Sequence, residues 1–156
     1  MIKTSQFFVI LFLLFFSITI QAQEKTRPVH FANGDFFPDD NILKQTFNKT
    51  ELLPVLYGNN YYVLIQFSAL PSDNNKKELK NAGVQLIEYI PANSFLSVIN
   101  KAFDFSSASK YNIVSINAVP VNFKIDPALF HFRSGKEKQD TRWFAVSIFP
   151  SFNKKE

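Results

Sequence analysis

The sequence predicts an α+β domain of ferredoxin-like type, a four-stranded antiparallel sheet with two helices on one face, followed by the start of a second copy. Three observations lead there. Short apolar runs alternate with period two, as half-buried strands do. Polar stretches between them carry helix start and stop signals. Their order is strand, helix, strand, strand, helix, strand within about 60 residues, the order of two split βαβ units.

The first strand is Tyr61 to Phe67, with Val63, Ile65 and Phe67 on one face and Tyr62, Leu64 and Gln66 on the other. Pro71-Ser72-Asp73 supplies a breaker and an N-cap for a helix over Asn74 to Ala82. Leu79 and Ala82 of that helix point inward, and Gly83 stops it. Val84 to Ile90 alternates as the second strand, and Pro91-Ala92-Asn93 turns the chain into a third, Ser94 to Ile99. There Phe95, Ser97 and Ile99 oppose Leu96 and Val98. Asp104 starts a short helix through Lys110, and Ile113 to Val119 is the fourth strand. Nothing in this pattern covers the second face of the sheet, so an apolar face is expected to want a partner.

Five segments organise the 156 residues. Residues 1–22 read as a secretory signal peptide: Lys3, an apolar run from Phe7 to Ile20, then the small Ala22. The run is too short and too interrupted by Ser17 and Thr19 for a spanning anchor. Export to the medium or periplasm is expected, with no membrane anchor after cleavage. Residues 23–60 form an irregular lead with a turn at Phe36 to Asp40, a short helix over Asn41 to Thr46 and a closing turn at Gly58-Asn59-Asn60. Residues 61–120 are the domain. Residues 121–142 are a linker whose RSGKEKQDTR stretch reads as a solvated connector. Residues 143–156 begin another strand and helix.

Composition narrows the function classes. Loss of residues 1–22 leaves 134 residues and takes Lys3 away, lowering the net charge from +4 to +3. The basic residues are scattered, and the strands lack an aromatic and basic RNA-binding pattern, so nucleic acid is not expected. There is no cysteine, which removes disulfides, thiolate metal sites and cysteine nucleophiles together. With four glycines there is no phosphate-binding loop. The two histidines, His30 and His131, read as surface or packing residues; they make no metal site, and no cofactor is expected. Asp39-Asp40 reads as a solvated turn, and Asn48-Lys49-Thr50 fits a glycosylation sequon but reads better as a solvated loop.

The stretch YYVLIQF, the helix ending Asn81-Ala82-Gly83-Val84, and Leu86 to Leu96 (LIEYIPANSFL) together resemble the propeptide, inhibitor-type domain of subtilisin-family serine peptidases. Val121 to Leu129 (VNFKIDPAL) resembles the linker that leaves this domain in large secreted bacterial members. The similarity covers Tyr61 to Leu129, under half the chain. The family's catalytic Asp-[Ser/Thr]-Gly, His-Gly-Thr-His and Gly-Thr-Ser-Met-Ala motifs do not occur, so this chain is not expected to be an enzyme.

The resemblance implies a pro-region that binds a subtilisin-like peptidase domain, in cis or in trans, as folding aid and inhibitor. In that family the open sheet face lies on the peptidase, and the segment after the last strand runs extended through its cleft. Here that tail would be Val121, Asn122, Phe123, Lys124, Ile125 and Asp126. An inter-repeat linker is the competing reading of those residues. Trp143 to Ile148 can be laid on Tyr62 to Phe67, and Asn153 to Glu156 match Asn75 to Glu78, so a truncated precursor with a second copy is expected. A stand-alone secreted inhibitor and an adhesion or protein-binding module are the alternatives.

Overall fold

The structure is a computed structural model that describes residues 26–127. The signal segment, His131 and the candidate second copy lie outside the described residues. Among the described residues, two antiparallel sheets and one α-helix make an α+β fold. Strands β1 (Val29–Phe31) and β2 (Gly34–Phe36) form a small hairpin. A 3-10 helix η1 (Lys49–Val55) leads into β3 (Leu56–Tyr57) and then β4 (Asn60–Phe67). Helix α1 (Asp73–Asn81) is followed by β5 (Val84–Ile90), β6 (Ser94–Asn100), the 3-10 helix η2 (Phe105–Tyr111), β7 (Ile113–Asn117) and the 3-10 turn η3 (Val121–Lys124).

The main sheet has five strands where the sequence pattern predicts four. β5 pairs with β6, β6 with β4, and the far side of β4 is shared. β3 lies along Asn60 and Tyr61, and β7 along Leu64 to Phe67. The additional strand comes from the lead, which is not irregular: it also supplies the hairpin and η1. The short helix expected over Asn41 to Thr46 is only a turn, closed by backbone bonds from Lys44 to Asp40 and from Thr46 to Asn41 (2.9 Å each). The second helix of the pattern is a 3-10 helix, capped by Asp104, whose carboxylate accepts from the Ser106 N–H at 3.0 Å.

The α1 boundaries follow from its ends. Ser72 Oγ accepts from the Asn75 N–H at 3.2 Å, satisfying one of the free donors of the first turn. Gly83 ends the helix at φ +94°, where a side chain would strain, and an added Cβ would lie 3.1 Å from Asn100 Cβ.

Alternation along β4 sorts the core. Tyr61, Val63, Ile65 and Phe67 pack on the helical side with Leu52, Leu79, Ile99, Ile113 and Ile116. Leu64 joins Val29 and Val119 on the other side, with Phe31, Phe36, Ile90, Leu96 and Phe123 around them. The second face of the sheet is therefore covered, contrary to the expectation of an open face. Its cover is the hairpin of the lead together with residues just beyond β7. Alternation fails in β5: the register against β6 shifts between Leu86 and Glu88, leaving Ile87 as an extra residue. Val84 and Leu86 face the helical core, but past the bulge Tyr89, not Glu88, continues that face opposite Phe95.

Candidate interaction surface

The six tail residues lie where the hairpin covers the sheet. Val121 to Lys124 turn as η3 rather than running extended. Phe123 is half-buried between Phe31 and Phe36, with ring centroids 5.6 and 5.5 Å away, and those two rings stand 6.4 Å apart. Asn33, in the hairpin turn, donates through Nδ2 to the Asn122 carbonyl at 2.5 Å and to the Ile125 carbonyl. One amide thus clips both ends of the 3-10 turn to the hairpin. Ile125 is half-buried, while Val121, Asn122, Lys124 and Asp126 are exposed. The result is a knot of three phenylalanines with Val121 (66% exposed) and, next to Phe36, Phe37 (72% exposed) presented to solvent.

Gln66 anchors the other end of this cover. Its side chain points from β4 toward the second face and is 1% exposed. Oε1 accepts from the Arg27 N–H at 2.9 Å; Nε2 donates to the carbonyls of Arg27 (2.9 Å) and Ala92 (3.0 Å) and contacts Ser94 Oγ at 3.2 Å. A buried amide with this many partners fixes the chain entering β1 against the β5–β6 turn.

The edge of β7 is closed in a different way. Asn41, nearly buried, donates from Nδ2 to the Ile116 carbonyl at 2.7 Å and accepts from the Ile116 N–H at 3.1 Å. The side-chain amide thus imitates a neighbouring strand. Asn117 exchanges the same pair of bonds with the backbone of Asp39 (3.2 and 3.3 Å), and the Leu43 N–H reaches the Val114 carbonyl at 3.3 Å. Beside this closure is a groove of about 520 Å³, lined by Asn41, Leu43, Gln45 and by Phe47 stacked on Phe105 (4.8 Å, 20°).

The remaining residues singled out in the sequence are dispersed. His30 is exposed and faces Asp35 across the hairpin at 2.6 Å. Asp40 holds Lys44 at 2.6 Å, and this bond raises the Lys44 pKa above its ordinary value. Asn48 caps η1, accepting from the Thr50 N–H and hydroxyl at 3.0 and 2.8 Å. Among the described residues no group of three or more His, Asp or Glu is placed to hold a metal ion, and no helix is long and apolar enough to cross a membrane. Asn33, Phe31, Phe36 and Gln66 carry the surface; Phe36 is expected only as the start of a turn and Gln66 only as a residue of the strand's second face, while Phe31 and Asn33 are not among the expected residues. A signal for the hairpin was present: Asn33-Gly34 between Val29, Phe31 and Phe36 is a strong short-range hairpin pattern.

Fold and surface together define a small α+β domain with an antiparallel sheet whose second face is closed by its own lead. A family model described as "Domain of unknown function (DUF8729)" matches residues 30–120, and the chain belongs to that family. The match starts within β1 and ends at the residue before η3, so the family unit contains the hairpin as well as the sheet. No curated protein and no solved structure matches the chain.

Proposed function

We propose that this chain is an exported, non-catalytic protein-binding domain with a ferredoxin-like core, serving as the pro-region of a secreted subtilisin-like serine peptidase. It acts on that peptidase as folding aid and inhibitor, in cis or in trans. The observation that carries this reading is topological. β4, α1, β5, β6, η2 and β7 follow one another as two split βαβ units, with β4 and β6 central and β5 and β7 outside. The residue resemblance to subtilisin propeptides runs over the same elements.

The hairpin changes where such a domain would touch its peptidase. With the second face covered, Phe37, next to Phe36, and Val121, which begins the clipped turn of residues 121–125, are exposed large apolar side chains of the cover. Contact through this knot keeps the tail Val121 to Asp126 at the interface, while release of the Asn33 clip would let it extend. A second reading, a stand-alone inhibitor or adhesion module, is favoured by one observation: the cover itself, which a domain docking by its open sheet face would not need.

Progress curves of subtilisin in the presence of the mature chain test the first reading. Slow-onset inhibition at submicromolar concentration is expected. Full activity at high micromolar concentration would remove the peptidase from the proposal and leave the adhesion module.

A further inference from the structure

The groove beside the β7 closure joins two segments far apart in the chain, Asn41 to Phe47 of the lead and η2. Its volume of about 520 Å³ falls within the roughly 300–1,000 Å³ typical of small-molecule sites. Ile42, Leu43, Phe47 and Phe105 supply its apolar part. The Phe47 and Phe105 rings are both half-buried and lie nearly parallel, 4.8 Å apart at 20°. A third flat ring can extend such an offset stack, because the arrangement already suits the ring quadrupoles.

None of the described residues that line the groove is charged. The charged residues next to it in sequence are engaged elsewhere: Lys44 with Asp40 at 2.6 Å, Lys49 Nζ with the Lys101 carbonyl at 2.9 Å, and Lys110 with Glu78 at 3.6 Å. Asp104 accepts from the Ser106 hydroxyl at 2.7 Å. An ion entering here would leave water without gaining a counter-charge, a cost that a neutral ligand avoids. Two of the polar lining groups are already committed, Asn41 to Ile116 and the Ser106 hydroxyl to Asp104. The Gln45 amide and the Ser109 hydroxyl bond to no other group among the described residues. Gln45 also holds φ +55°, in the left-handed region that disfavours a side chain, and strain of this kind concentrates at functional sites.

The geometry points to a binding site for an uncharged, planar aromatic small molecule. Its ring stacks on the Phe47–Phe105 pair, and its polar edge meets the Gln45 amide and the Ser109 hydroxyl. Apolar area supplies the attachment and the two polar groups set the orientation, the usual division of labour in such sites. This inference does not rest on the peptidase reading.

Amide chemical-shift mapping of residues 23–156 tests it, with N-phenylnaphthylamine as the neutral probe and anilinonaphthalene sulfonate as its charged counterpart. The expected result is saturable shifts at Asn41 to Phe47 and Phe105 to Ser109, with the sulfonate bound at least about tenfold more weakly. Ser109 is exposed and its hydroxyl is uncommitted, so Ser109→Phe should fill the groove and abolish those shifts while the rest of the spectrum stays in place. No saturable shift up to the solubility limit of the neutral probe would overturn the proposal. So would shifts confined to the surroundings of Phe37 and Val121, equal binding of the sulfonate, or undiminished binding by Ser109→Phe.

Discussion

Gln66 shows how a polar residue in an apolar alternation can hold two segments together. Its amide sits between Arg27, Ala92 and Ser94 with no accessible surface to spare. Gln66→Ala removes these bonds, most of them partly buried, and a loss of about 1–3 kcal/mol is expected in urea unfolding. Asp104 makes a pH-dependent contribution. Hydrogen bonds from Ser106, the hydroxyl first and the backbone N–H second, hold its carboxyl below the ordinary carboxylate range. A folded-state pKa below the unfolded one gives stability that is present above about pH 4 and lost as the pH falls through the folded value. Asp104→Ala is therefore expected to lower the urea midpoint at neutral pH, and the deficit should shrink at about pH 2. A deficit equal at both pH values would assign the effect to something other than the carboxylate.

At the scale of elements, α1 is attached lightly and the β7 edge is guarded closely. Leu79 is the one buried side chain of α1. Leu79→Ala should cost about 2–5 kcal/mol, and hydrogen exchange should show α1 opening before the sheet. Asn41→Ala removes both bonds to Ile116, so a loss of about 1–3 kcal/mol is expected. It also uncovers a strand edge, and light scattering should report faster self-association than in the parent. These elements differ in how far the sequence discloses them. Tyr61 to Phe67, Val84 to Ile90 and Ser94 to Ile99 are legible because period-two alternation reflects burial on opposite faces. Ser72 and Gly83 mark α1 because the caps are chemical requirements of its ends. The bulge at Ile87 is not legible: VQLIEYI alternates well enough on its own, and only pairing with β6 reveals the extra residue. Asn41 is hidden for a similar reason, since a turn asparagine and an edge-capping asparagine look alike until Ile116 is beside it.

For the whole molecule, the difference lies in how the lead is used. A lead read as irregular, followed by an autonomous sheet, becomes a hairpin closing the second face, a strand on β4 and a cap on β7. These contacts join residues far apart in sequence, such as Asn33 with Asn122 and Arg27 with Gln66, which local pattern cannot pair. The extended tail expected at Val121 to Asp126 is folded into the same closure. The domain therefore presents a phenylalanine knot and a clipped turn where the sequence alone implies an open sheet. Whether that knot meets a peptidase is the central claim. The most direct measurement is hydrogen exchange of residues 23–156 with and without an excess of active-site-blocked subtilisin. Slower exchange confined to residues around Phe36, Phe37 and Val121 to Asp126 is the predicted result. An exchange pattern unchanged by the peptidase would contradict it.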